Sequence, residues 1–272
     1  YLMKNIINKI SKLPIKLINI FIKKFLIFLD YKFKFFTVHP DTQNKLFNKV
    51  NLFRQEAREN LEQILNNNLN MSYSEDNNMF SEHLILFSAL SKRKKIKNIL
   101  EIGTFDGQTT LILKSLFEEA KITTIDLQDD DNFFIGTYNR REDVKHFVNT
   151  RNKRLNKIAN IEFKQVNSLD LVNWDKKFDM IWVDGAHGYP FIAIDIINAF
   201  RLSKSGGIVL IDDVWINAKS NDKFYKSNGA YETLLEIKNS KLISDFVLFN
   251  KRLSGKYNIP GSKKFIGYFE KI

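Results

Sequence analysis

The chain has 272 residues, 44% of them hydrophobic, with 24 Phe, 11 Gly and only 4 Pro. That supply of apolar side chains builds a sizeable core and excludes a low-complexity or disordered chain. Cysteine is absent, which excludes disulfides and thiolate metal sites and fits a cytoplasmic protein.

The net charge of +11 is uneven. Residues 1–36 hold eight Lys and one acid, Asp30, so they carry +7 and leave +4 for the other 236 residues. Charge confined to one end counts against a nucleic-acid surface spread over the body, although an RNA-directed role could use these lysines to track phosphates. Within the segment, Leu17–Ile22 and Phe25–Leu29 are apolar, split by Lys23 and Lys24. Neither run reaches the ~20 residues that span a bilayer, and no signal-peptide pattern is visible. Pro14 starts or breaks a helix. Two readings stay open. The segment lies on an anionic membrane surface as a peripheral contact, or it packs as helices against the main domain or a second copy, making a homo-oligomer.

Residues 42–66 read as one helix with Leu46, Val50, Phe53, Leu61 and Leu65 on its apolar side. A polar loop follows over 66–78. Ser81 is a candidate cap for a helix carrying Leu84, Phe87 and Leu90. Residues 1–78 are therefore expected to form a basic, helical N-terminal extension, and residues 79–272 the main domain. From residue 98 strands and helices alternate. Strands are expected at 98–102, 121–126, 161–166, 179–184 and 207–212, with helices near 107–119, 138–156 and 190–202. The tail adds apolar segments at 243–249 and 264–270 as a closing antiparallel pair. The fold class is α/β: a doubly wound, mostly parallel, seven-stranded Rossmann-like sheet.

The most informative stretch is residues 97–110. Apolar Ile99, Leu100 and Ile102 lead into Gly103, and Gly107 precedes a helical run from Gln108. A strand, a tight turn and a helix N-terminus present backbone N–H groups to an anion. Glu101, just before the turn, suits a cationic group. A ligand with both carboxylate and amino groups fits better than a pyrophosphate, because Phe105 and Gln108 stand where a dinucleotide fingerprint needs its second and third glycines. Asp126 ends the second strand 23 residues after Gly103, close to the spacing of a ribose-binding acid. Asn167 and Ser168 end the third strand and can serve an adenine edge, or simply a turn. Asp184 ends the fourth strand, and Asp212 and Asp213 end the fifth. If those strands are neighbours, three carboxylates crowd one edge and call for a cation between them. Oxygen-only ligation suits Mg²⁺, although each acid alone also reads as a helix cap. His187, three residues after Asp184, can accept a hydroxyl proton.

Together these residues place the chain from about 79 to 270 among sequences that resemble class I S-adenosylmethionine-dependent methyltransferases. It is most similar to the metal-dependent small-molecule O-methyltransferases of the catechol, caffeoyl-CoA and macrolide-sugar type. Glu101-Ile-Gly103-Thr104-Phe105-Asp-Gly107 resembles the family's first motif. The resemblance implies that these residues, with Asp126, Asn167, Ser168 and Asp184, bind S-adenosylmethionine, and that Asp184, Asp212 and Asp213 hold Mg²⁺. It also implies methyl transfer to a hydroxyl of a small molecule or sugar, with Asp184 and His187 as catalytic candidates. A membrane-associated lipid-linked glycan is the alternative acceptor. The sugar enzymes often carry a second Asp two residues after the first metal acid. Here that residue is Ala186, so the proton acceptor stays open between His187 and metal-bound hydroxide. Residues 215–235 and 251–263 are polar and placed to form a substrate lid.

Overall fold

The computed structural model describes residues 15–76, 79–137, 143–156, 158–218 and 225–272. Pro14 and the first three lysines lie outside these described residues. Helices α1 (Ile15–Phe33), α2 (Pro40–Lys49), α3 (Arg54–Leu69) and α4 (Glu82–Arg93) precede the sheet. The sheet region then runs β1 (Asn98–Ile102), α5 (Gln108–Leu116), β2 (Lys121–Asp126), α6 (Asn132–Gly136), α7 (Val144–Leu155) and β3 (Ile161–Gln165). After a 3₁₀ turn at Ser168–Asn173 come β4 (Phe178–Val183), α8 (Phe191–Leu202), β5 (Ser203–Val214), α9 (Gly229–Asn239), β6 (Val247–Asn250) and β7 (Phe265–Glu270).

The seven strands pair in the order β3-β2-β1-β4-β5-β7-β6. The first five are parallel, and β7 runs antiparallel between β5 and β6. The chain thus winds outward from β1 in one direction and restarts at β4 in the other. That reversal is the topological switch, where the strand carboxyl ends open a crevice.

Strand periodicity sorts side chains onto the two faces. Ile99, Ile122, Met180, Trp182, Ile208 and Leu210 face one way and pack with Phe47, Leu61, Leu65, Leu84 and Phe87 from α2, α3 and α4. Leu100, Ile102, Ile181, Val183, Val209 and Ile211 face the other way, against Ile192, Ile196 and Leu202 of α8 and Leu234 and Ile237 of α9. Residues 40–69 therefore share a core with the sheet. Helix α1 contributes no residue to either cluster.

The structure departs from the expected elements in specific places. The single helix expected over 42–66 is two. The main chain turns at Asn51, whose φ is +56°, and the Phe47 carbonyl accepts from both Val50 and Leu52 N–H. The second helix then runs to Leu69 and ends on Asn70 in a left-handed cap, so the polar loop starts later than expected. β5 begins at Ser203 and pairs irregularly with β4 before settling into register at Met180 and Ile208. The tail hairpin forms, but its first strand starts at Val247, and Ile243 makes only an isolated bridge to Lys271. The expected 215–235 lid overlaps α9.

The helical layer is fastened by a buried polar network. Arg54 donates through Nε and Nη2 to the Glu82 carboxylate at 2.7 and 2.6 Å. Gln43 donates to Glu82 and to the Asn250 carbonyl and accepts from the Asn250 main chain. Removing one member of a buried ion pair strands the other charge. We expect Glu82→Ala to cost about 3–5 kcal/mol in urea denaturation, and Arg54→Met with Glu82→Leu together to cost far less.

Candidate functional site

The site is assembled where β1 turns. Gly103 donates its N–H to the Ile125 carbonyl at 2.9 Å and takes a φ of +101°. A Cβ here would lie 2.1 Å from the Asp184 carbonyl oxygen, so only glycine lets β1 turn this close to β4. Gly107, at φ +78°, opens α5 and meets Leu155 of α7. Between them Phe105 is also left-handed, at φ +50°. Its N–H donates to Asp126 Oδ2 at 2.9 Å, and Leu127 N–H donates to Asp126 Oδ1 at 2.9 Å. The carboxylate is thereby held against the glycine turn.

A cavity of about 700 Å³ opens at this edge. Of the residues expected to bind a cofactor, Gly103, Thr104, Phe105, Asp126, Asn167, Ser168 and Asp184 line it, and so does His187. Gly107 and Glu101 stand outside the lining. Glu101 is buried beneath the turn, where its Oε2 accepts from the Thr110 and Thr124 hydroxyls at 2.5 and 2.7 Å. Its Oε1 has no hydrogen-bond partner. Burial, only partly offset by those hydroxyls, pushes this carboxyl up to about 7. Asn167 caps the 3₁₀ turn by accepting from Leu169 N–H at 3.0 Å. The Ser168 carbonyl accepts from the Asn198 side chain at 3.2 Å. Apolar walls come from Leu127, Phe133, Phe134, Val166 and Leu169, which the sequence did not single out because each looks like an ordinary core or surface side chain.

The strand register puts Val183 beside Ile211, so Asp184 and Asp212 follow as neighbours. Oxygen atoms of Asp184 and Asp212 and a ring nitrogen of His187 all lie within 4.8 Å of one another. Asp213 is oriented differently, although its Oδ2 still lies 3.8 Å from His187 Nε2. The β5–β7 pairing is irregular between Ile211 and Val214, and Asp213 takes a φ of +50°, which re-aims its side chain. Lys251 Nζ donates to Asp212 Oδ2 and Asp213 Oδ1, and Lys264 Nζ to Asp213 Oδ2, each at 2.5 Å. The expected trio of Asp184, Asp212 and Asp213 is therefore served in part by ammonium groups. The set of donors left facing one another includes His187 in place of Asp213.

Charge and burial decide how these groups titrate. Burial opposes ionisation of Asp213, but the ammonium groups of Lys251 and Lys264 overcome it and hold the carboxyl well below the usual range. Burial likewise opposes charge on Lys251, and the three aspartates outweigh it, so the ammonium is kept protonated. Asp184 is pushed up, by burial and then by the neighbouring Asp212 charge. Burial lowers His187, against the pull of Asp213 and Asp212, so its imidazole is neutral near pH 7. The His187 Nδ1 and Asp212 Oδ1 atoms are buried without a hydrogen-bond partner. Two carboxylate oxygens and an imidazole nitrogen fit a divalent cation. The histidine donor broadens the choice beyond Mg²⁺.

Lys251 and Lys264 were invisible in the sequence among 42 basic residues. Their place follows from topology. Antiparallel β7 brings its first residues to the carboxyl end of β5, and Lys251 N–H donates to the Lys264 carbonyl across the hairpin at 3.1 Å.

A doubly wound sheet closed by an antiparallel β7, with its cavity at the β1–β4 switch, defines a nucleotide-binding α/β fold whose site can hold a cofactor and an acceptor together. Residues 100–214 match the sequence profile of a family described as "Methyltransferase domain". It is 28% identical over 144 residues to a fatty-acid O-methyltransferase of Mycolicibacterium smegmatis, covering 53% of this chain and 46% of that one. The chain thus spans about half the length of the curated relative it matches. Its fold is similar to the O-methyltransferase TomG of Streptomyces achromogenes, solved in complex with SAM, with a TM-score of 0.51, 17% identity and coverage of 84% of this chain and 95% of that one. A putative O-methyltransferase from Klebsiella pneumoniae gives a TM-score of 0.50 at 14% identity, covering 85% of this chain and 96% of that one.

Two measurements check the electrostatics. In the unfolded chain Glu101 titrates near 4.3, and in the fold near about 7. A raised folded pKa gives stability that is full below the lower value and lost as pH rises through the higher one. Without ligand, the wild type should lose roughly 2–4 kcal/mol relative to Glu101→Gln between about pH 4 and 8. Asp213 has the opposite sign. Its depressed pKa gives stability present above about pH 4 and lost as pH falls further. Lys251→Met should lower the thermal midpoint at pH 7 and flatten that acid limb.

Proposed function

We propose that the protein catalyses S-adenosylmethionine-dependent methyl transfer to a hydroxyl oxygen of a small molecule or sugar. One observation carries this reading. The cavity at the switch joins the Gly103–Asp126 cradle at one end to the Asp184–His187 pair at the other, so cofactor and acceptor share one crevice.

The roles follow from the geometry. When bound, S-adenosylmethionine supplies a methyl on a sulfonium centre. Asp126 is pinned by two main-chain N–H groups, which aim a carboxylate of the kind that accepts from a ribose diol into the cavity. The apolar walls and the 3₁₀ turn at Asn167 and Ser168 enclose an adenine ring and keep water from it. The turn at Gly103 and Thr104 receives the carboxylate end. Thr104 itself is fixed by a 2.6 Å hydroxyl contact with Thr124. Glu101 acts from below the turn, setting its position and charge rather than touching the cavity.

At the acceptor end, the neutral His187 imidazole is suited to take the hydroxyl proton as the oxygen attacks. In the alternative to that proton transfer, Asp184, His187 and Asp212 would together hold a divalent cation such as Mg²⁺, which would lower the pKa of a ligated hydroxyl. Asp213 holds Lys251 and Lys264, and these close the side of the acid cluster toward the β6–β7 hairpin. The rate gain assigned to the protein comes mainly from aligning acceptor and methyl and from the fixed charges around them.

Calorimetry with S-adenosylhomocysteine tests the cofactor half. Asp126→Ala removes charge-assisted hydrogen bonds worth about 1.5–3 kcal/mol, and should weaken binding roughly tenfold to a hundredfold. Unchanged affinity would remove Asp126 from the site. Methyl transfer from labelled cofactor to panels of sugars, phenols and fatty acids tests the acceptor half. His187→Ala should lower kcat without weakening cofactor binding. Activity that persists in EDTA and in Asp212→Ala would discard the cation while leaving methyl transfer intact.

A further inference from the structure

Helix α1 is an apolar element that neither core accounts for. Its 19 residues carry apolar side chains around most of the circumference, yet the helix lies outside both hydrophobic clusters. A helix apolar on most sides is ordinarily buried in protein or in lipid. Here Phe21, Phe25, Phe28 and Phe33 are each more than half exposed, and Tyr31 and Phe35 more so.

The orientation of the helix is set by Asp30. This carboxylate is buried, accepts from Phe36 N–H at 2.7 Å and from the Thr37 hydroxyl at 3.1 Å, and sits where Gly255 leaves no room for a Cβ. At 100° per residue, the side opposite Asp30 carries Leu17, Phe21, Phe25 and Phe28. Lys24 borders that stripe on one side, and Lys32 stands in line with it one turn beyond Phe28, its ammonium 5.4 Å from the Phe28 ring centre. Lys34 lies similarly over Tyr31, at 5.6 Å. The outward face is thus an apolar stripe edged by cations. Asp30 is the sole acid of the segment and is spent on the body of the protein. None of the described helices is long and apolar enough to cross a membrane.

We propose that α1 docks in the plane of an anionic lipid bilayer, its Phe stripe among the upper acyl chains and Lys24 and Lys32 at the headgroups. Charge complementarity selects this occupant. Lysines with long apolar stems reach from such a stripe to phosphate. A second copy of the same face would set lysine against lysine with no free acid to relieve it.

The test is co-sedimentation of the full chain with vesicles, using phosphatidylcholine alone or with about 30% phosphatidylglycerol. The wild type should pellet with the anionic vesicles and stay in solution with the neutral ones. Phe21→Glu with Phe25→Glu should abolish pelleting. Lys24→Glu with Lys32→Glu should weaken it by at least about fivefold per lysine, and raised salt should do the same. These side chains are exposed, so thermal midpoints should not move, which separates lost docking from lost folding. Three results would overturn the proposal: no pelleting of the wild type, equal pelleting on both vesicle types, or a solution dimer that the Phe substitutions dissolve.

Discussion

The site depends on how closely Gly103 approaches the Asp184 carbonyl. Strands β1 and β4 are neighbours, and the chain must leave β1 sideways at their shared end. Without a side chain it can pass over β4 and open a crevice on the other side, toward β2. Asp126 then becomes the far wall, tied to the same turn through Phe105 N–H. Asp184, whose carbonyl meets Gly103, lines the same crevice. A single contact therefore aligns a cradle suited to a nucleotide with a carboxylate suited to its reaction partner, with no designed loop between them.

The second constraint is charge. Asp184, Asp212 and Asp213 end two adjacent strands in a mostly buried setting, where unbalanced carboxylates would be costly. The fold supplies two ammonium groups from the β6–β7 hairpin, and they neutralise one side of the cluster permanently. The other side keeps a buried oxygen of Asp212 and a ring nitrogen of His187 without partners. That asymmetry separates a half closed by ion pairs from a half whose polar atoms are left without hydrogen bonds. It also explains why Asp213, an expected metal ligand by resemblance, faces lysines instead.

Much of this was legible beforehand because it rests on local chemistry. Strand periodicity, the glycine turn and the acid after β2 are short-range signals, and each predicts its own neighbourhood. That β4 and β5 end side by side was a condition in the sequence, and the strand register meets it. Other features are nonlocal. Glu101 was read as facing a ligand because it abuts the turn, yet alternation along the strand sends its side chain below the sheet to Thr110 and Thr124. Lys251 becomes special only when an antiparallel strand returns to the carboxyl edge. The break near Asn51 depends on one left-handed residue in a polar, otherwise helical stretch, and periodicity does not register it.

The segment from Lys251 to Lys264 is fastened at both ends to the acid cluster, and along its length to Val38 through the Leu253 carbonyl and to Asp30 of α1 beside Gly255. A loop tethered in this manner cannot be lengthened or traded as an independent module. Divergence in what α1 rests upon and divergence in the chemistry at Asp212 and Asp213 are mechanically linked. Descendants of this chain would inherit the two traits together or lose them together.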